Sequence, residues 1–196
     1  MGAAAILVGG AGRRLGGVEK HRLAWPGGGT VLERLIELLA REAGPVTLVS
    51  RAGPQMLAAD VSTIHDAHPD RGPAAGVAAA LSHAPSGWVF IAACDLPCLD
   101  AETIRALAAA RGRQDVVRFR AGGYLQPLSA FWHTRCLPRV EAALLQCAPS
   151  LHGLVASLDA TILETDDPRP FTNVNTPGDL AALGLEIKAL EIRACP

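Results

Sequence analysis

Short apolar runs alternate along this chain with segments whose apolar residues recur every three or four positions. That alternation predicts an α/β protein built from β-α-β units around a mostly parallel sheet. Residues 3–8, 45–50, 61–65 and 88–93 read as strands. Between the first two, residues 30–43 place Leu32, Leu35, Ile36 and Leu39 on one helical stripe, with Thr30 and Glu33 spaced as a capping box. An alanine-rich helix is expected over residues 73–84, and Asp100 should cap a third helix running to residue 111. Alternating apolar positions around Gly122-Gly123 suggest a hairpin-like excursion over residues 115–132. A helix over residues 137–146 follows. Thr176-Pro177-Gly178-Asp179 supplies a hydroxyl cap, a proline at the first helical position and an acid at the third, so a last helix should run from there to about Leu183.

Length and charge narrow the field. A chain of 196 residues is the size of one domain that buries roughly 70% of its unfolded surface. Its net charge of −1 leaves no broad basic face for nucleic acid or a membrane surface. The basic residues are local instead, with Arg13, Arg14, Lys20 and Arg22 in one short window. No apolar stretch is long enough to span a bilayer and the first residues lack the pattern of a signal peptide, so a cytoplasmic protein is expected. Five scattered cysteines, with no Cys-x-x-Cys pair, argue for buried thiols over a disulfide framework or a zinc site.

The stretch LVGGAGRRLGGVEK, residues 7–20, follows the first strand directly. A glycine-rich turn between a strand and a helix aims backbone N–H groups at an anion, usually a phosphate. A P-loop does not fit, because Lys20 lies between Glu19 and His21 without the required glycine and hydroxyl residue. The dinucleotide fingerprint comes closer: Gly10 and Gly12 are followed by Gly16, one position late, and Arg51 could hold a 2′-phosphate, so an NADP-dependent reductase is the rival from another class. Leu7, Gly9, Gly10, Arg14, Gly16 and Lys20 together match a third loop, that of small nucleotidyltransferases. A triphosphate under attack at its α-phosphorus carries about four negative charges, more than amides alone neutralise, and the clustered cations answer that need.

Three further stretches carry chemistry. The nearly unbroken apolar run 87–94 ends in Asp95-Leu96-Pro97, and a carboxylate at the carboxyl end of a central strand is well placed to hold Mg²⁺ beside phosphate oxygens. His65-Asp66-x-His68-x-Asp70 contains metal-ligand residue types, but it leaves a strand into a turn, where polar side chains are commonplace, and the turn reading is preferred. In Asn173-Val174-Asn175-Thr176-Pro177 the extended backbone before proline points alternate side chains the same way. Two amides facing one ligand suit a heterocycle such as a pterin; a polar loop leading into a capped helix is the other reading.

In order along the chain, LVGGAGRRLGGVEK, HDAHPDRGPAAG, ACDLP, LQPLSAFW and FTNVNTPGDL resemble the molybdenum cofactor guanylyltransferases, the molybdopterin-guanine dinucleotide biosynthesis protein A family. The resemblance implies a single-domain, three-layer Rossmann-like nucleotidyltransferase fold with a mostly parallel central sheet over residues 1–185, and leaves residues 186–196 as a tail that matches nothing in the family. It implies GTP and molybdopterin, or Mo-molybdopterin, as substrates, with Mg²⁺ as cofactor and with other molybdenum cofactor biosynthesis proteins or apo-molybdoenzymes as partners. GMP would pass to the terminal phosphate of molybdopterin as pyrophosphate leaves. By the same resemblance Leu7, Val8, Gly9, Gly10 and Lys20 would contact the nucleotide, assisted by Asp66 and Ser50. Lys20, Arg14 and Asp95 would carry the chemistry, Asp95 would bind the metal, and Asn173 and Asn175 would face the pterin.

Val8 stands where the family usually has alanine, and Glu19 where aspartate usually precedes the lysine. Both changes are conservative, although Val8 could narrow the base pocket. CTP-dependent relatives tend to have alanine at the first glycine of the pair and aspartates at the two asparagines. Gly9, Asn173 and Asn175 therefore favour GTP, with a molybdopterin cytidylyltransferase as the alternative.

Overall fold

The computed structural model describes residues 2–9, 20–26, 28–50, 58, 60–66, 68, 71–146 and 150–187. Gly10 and Arg14, with Arg13, Gly12, Gly16, Glu19, Arg51 and Asp70, lie outside the described residues, as does the tail from residue 188 onward.

Nine strands and six α-helices are present among the described residues. Seven strands form one sheet, in the order β4 (Ser62–His65), β3 (Val46–Ser50), β1 (Ala3–Val8), β5 (Trp88–Ala93), β7 (Tyr124–His133), β6 (Val116–Ala121) and β8 (Ala160–Thr165). The four strands from β4 to β5 run parallel, and β8 is parallel to β6. Only β7 breaks the sense, pairing antiparallel with β5 on one side and β6 on the other. The hairpin is therefore no excursion: its two strands are inserted into the main sheet. Both Gly122 and Gly123 have positive φ, at 55° and 83°, the backbone that a two-residue hairpin turn matched to strand twist requires.

Apolar side chains alternate between the two faces of the sheet. Ala4, Ile6, Phe90 and Ala92 join a core with α1 (Val31–Glu42) and α3 (Ala101–Ala109). Ala5, Val89 and Ile91 join a second core with α2 (Pro73–His83), α4 (Leu137–Gln146) and α5 (Leu151–Ala156). The result is three layers with buried strands between helices, and this is why β1 and β5 are apolar along almost their whole length.

Local signals set the helix ends. Thr30 Oγ1 accepts from Glu33 N at 3.1 Å while Glu33 Oε2 accepts from Thr30 N at 2.7 Å, the reciprocal box read from the sequence. The same device starts α6 (Pro177–Leu183) at Thr176 and Asp179. A small antiparallel ribbon joins β2 (Leu23–Ala24) to β9 (Glu186–Ile187), so the chain just past residue 185 returns to the segment that follows the glycine loop.

Candidate active site

Beyond the carboxyl ends of β1 and β5 lies a cleft of about 920 Å³. β1 has β3 on one side and β5 on the other, so successive connections leave in opposite directions and open a crevice where the sheet order reverses. Leu7, Val8 and Gly9 at the end of β1 line it, with Cys94, Asp95 and Leu96 at the end of β5. Cys94 N donates to Leu7 O at 3.3 Å, which carries the ladder between the two strands to the edge of the cleft.

Three polar side chains distant in sequence meet there. Lys20 Nζ donates to Asp95 Oδ2 at 2.5 Å and to Asn175 Oδ1 at 2.6 Å. The Lys20 and Asp95 side chains are only 16% and 13% exposed, so this is a largely desolvated ion pair and not a surface contact. The third member is held by backbone. Val174 N donates to Asp95 O at 3.1 Å, and buried Val174 separates Asn173 from Asn175, so both asparagines border the cleft. Asp179 accepts from Asn175 N and Thr176 N, each at 2.8 Å, and these bonds hold its carboxyl below the usual carboxylate range. One acid thus caps α6 and fixes Asn175.

Asp66 approaches from the end of β4. Its backbone N donates to Ser50 O at 3.0 Å, and its Oδ1 accepts from His68 N at 2.7 Å, the turn that the sequence suggested. Asp66 Oδ2 is buried with no hydrogen-bond partner among the described residues. An acceptor left open in a cleft wall is a place for a ligand N–H. Ser50 is buried at the end of β3, where its backbone carbonyl holds the Asp66 N–H. Burial, then the Asp95 charge, pushes the Cys94 thiol up to about 12, so it stays protonated and is no nucleophile.

Individual residues of the opposite wall escaped the sequence reading. Tyr124, Gln126 and Pro127 reach the cleft from the hairpin, and Ser150 and His152 from the start of α5. The LQPL motif marked the segment without assigning it a place, since pairing of β7 against β5 is what brings it over the carboxyl ends. Gly72, Pro73 and Gly76 at the start of α2 complete the enclosure; a Cβ on Gly76 would sit 3.2 Å from both Leu7 methyl groups.

A cleft of this size is that of a small-molecule site, and the described residues on its walls include the largely enclosed Lys20, the carboxylates of Asp66 and Asp95 and the amides of Gln126, Asn173 and Asn175. Residues 4–162 match the family model described as the MobA-like NTP transferase domain. A Deinococcus radiodurans protein named probable molybdenum cofactor guanylyltransferase is 36% identical over 193 residues, spanning 96% of this chain and 97% of that one. A molybdenum cofactor guanylyltransferase of Vibrio cholerae is 30% identical over 182 residues, 91% of this chain and 89% of its own length. Among solved structures, molybdopterin-guanine dinucleotide biosynthesis protein A from Archaeoglobus fulgidus superimposes with a TM-score of 0.78 at 27% identity, covering 92% of this chain and 96% of that one.

Proposed function

The chain belongs to the MobA-like NTP transferase family, and from that membership we propose that it transfers GMP from GTP to the terminal phosphate of molybdopterin or Mo-molybdopterin. A phosphate oxygen of the acceptor attacks the α-phosphorus of GTP, the bond to the β-phosphate oxygen breaks, and pyrophosphate leaves as the guanine dinucleotide form of the cofactor is made. The observation that carries this reading is the convergence of Lys20, Asp95 and Asn175 at the carboxyl ends of β1 and β5.

The roles follow from the chemistry of each group. Charge accumulates on the oxygens around the α-phosphorus and on the departing pyrophosphate, and an ammonium in a desolvated cleft stabilises both far better than one in water. Lys20 is that cation, helped by Arg14, while the backbone from Leu7 through Gly10 lies against the nucleotide. Asp66 offers its open oxygen to a base N–H, and Ser50 supports Asp66 through its backbone carbonyl. Asn173 and Asn175 face the pterin. The Asp95 carboxylate and the Asn175 amide oxygen are hard donors of the kind Mg²⁺ takes alongside phosphate oxygens and water. Asp95 would hold the ion, which supplies neutralisation of the triphosphate when bound.

Titration of the purified protein with GTP, CTP and NADPH, each with and without Mg²⁺, tests the class and the base together. Tight binding of GTP that needs Mg²⁺ is expected. Binding of NADPH with neither triphosphate bound would overturn nucleotidyl transfer, and a preference for CTP would make the protein a cytidylyltransferase.

The acceptor end is tested separately. Asn173→Ala is expected to weaken molybdopterin binding by about 1–3 kcal/mol, the cost of leaving a buried polar group of the ligand unpaired, with GTP affinity unchanged. Asn175→Ala should disturb both ligands, because Asn175 also holds Lys20. Calorimetry with each ligand on each variant measures the difference; a loss of GTP affinity alone in Asn173→Ala would put the two ligands at opposite ends from those proposed.

A further inference from the structure

Arg118 is a buried cation with no anion paired to it among the described residues. It lies mid-strand on β6, opposite Ala130 of β7 and Ile162 of β8, and is 3% exposed. Its Nε and Nη1 are enclosed and have no hydrogen-bond partner among the described residues. Burial, and then the neighbouring charge of Arg120, holds its pKa below the ordinary value, yet a guanidinium cannot shed its proton at physiological pH. Glu164, on the adjacent strand, is paired with Arg120 at 2.8 Å. An uncompensated buried charge is among the most costly groups a fold can retain, and most are paired or bind something charged.

The surroundings of Arg118 indicate where a partner would come from. Val117, Phe119 and Ala121 enter the core beside α1 and α3, and Val116 enters the core beside α4 and α5. By strand alternation Arg118 stands on the α4 and α5 side. There the β6–β7 ladder shifts register in a bulge: Arg118 pairs with Ala130 but Arg120 with Leu125, so residues 126–129 stand opposite the single residue Phe119, while Ser129 still pairs with Ala92 of β5. Gln126, Pro127 and Leu128 of that bulge, with Leu151 and His152 of α5, line the cleft. Arg118 therefore stands on the sheet face that α4 and α5 cover, next to the register shift whose residues line the cleft, without itself lining it.

We infer that Arg118 is an anion receptor at the hairpin end of the cleft, and that its ligand is the phosphate monoester of the acceptor, an identification that rests on the proposed transfer to a phosphorylated acceptor. A guanidinium binds such a group through two parallel N–H donors, either Nε with Nη2 or Nη1 with Nη2, and in Arg118 each of these two forks has one unpartnered donor, Nε or Nη1. A local shift of the bulge opens these nitrogens to the cleft. Acceptor binding then gains a charge-assisted contact and relieves the desolvation that the free protein carries.

The experiment is a set of thermal melts on wild type, Arg118→Met and Arg118→Lys, alone and with phenyl phosphate, inorganic phosphate or Mg²⁺–GTP. Methionine fills a similar volume without charge, so Arg118→Met should melt at or above wild type in the absence of ligand. Phenyl phosphate should raise the wild-type melting temperature, leave Arg118→Met unmoved and raise Arg118→Lys in part, while the GTP response stays the same in all three. In turnover, Arg118→Met should raise the acceptor KM by roughly 10- to 100-fold with the KM for GTP unchanged. A melting temperature of Arg118→Met well below wild type, an unchanged phenyl phosphate response in that variant, or no response in wild type would each overturn the proposal. The melts need no turnover: wild type that responds to phenyl phosphate through Arg118 but never to GTP would remove the nucleotide reading and keep the anion site.

Discussion

Asp95→Asn is expected to leave the fold intact and reduce turnover by about 10³-fold or more, the several kcal/mol that a metal-held phosphate supplies to such a transfer. The substitution is close to isosteric. Its amide oxygen can still accept from Lys20, and the bond from Val174 N goes to the Asp95 backbone carbonyl, which does not change. What disappears is the negative charge that would hold Mg²⁺ at the carboxyl end of β5. Initial rates of pyrophosphate release, taken with a thermal melt of the same sample, read both halves of the expectation. Activity within a few-fold of wild type would take Asp95 out of the metal site; a collapse of the melting temperature would make it a structural residue.

Lys20→Ala should lower turnover by about 10²-fold or more, a typical cost for removing one preorganised charge from an enclosed site. It should also destabilise the free protein, because Asp95 loses its only charged hydrogen-bond donor among the described residues while remaining buried. The two effects separate in the double variant. Adding Asp95→Asn to Lys20→Ala removes the stranded carboxylate, so the melting temperature should move back toward wild type while turnover stays at the floor. A double variant less stable than Lys20→Ala alone would mean that the ion pair is not what the lysine contributes to the fold, and unchanged kinetics in Lys20→Ala would leave it a bystander to the chemistry.

Elements whose limits depend on neighbouring residues were legible from the sequence. β1 and β5 run over the residues read as strands, and α1 and α6 begin at the capping boxes of Thr30 and Thr176, because a cap is an interaction among residues within one turn. The turn at Gly122-Gly123 was legible for the same reason. α5 and β8 were not read at all. One is a six-residue helix and the other a strand with only partly buried positions, too short and too weakly patterned to stand out before β6 supplies the pairing edge.

The candidate site divides along the same line. The glycine loop, Asp95 at the end of an apolar run and the alternating asparagines are local patterns, and the sequence by itself determined that this is an α/β protein with groups suited to a nucleotide. That Lys20 meets a carboxylate 75 positions away and an amide 155 positions away was decided by the tertiary structure, since it depends on how β1, β5 and the segment before α6 are laid side by side. Local spacing sets a residue's dihedral preferences and its face, but a partner across the sheet exists only after the long loops have closed. Arg118 makes the same point from the other side: nothing near it in the chain distinguishes it from Arg120, and only the completed packing of the sheet leaves one arginine paired with Glu164 and the other enclosed with no anion among the described residues.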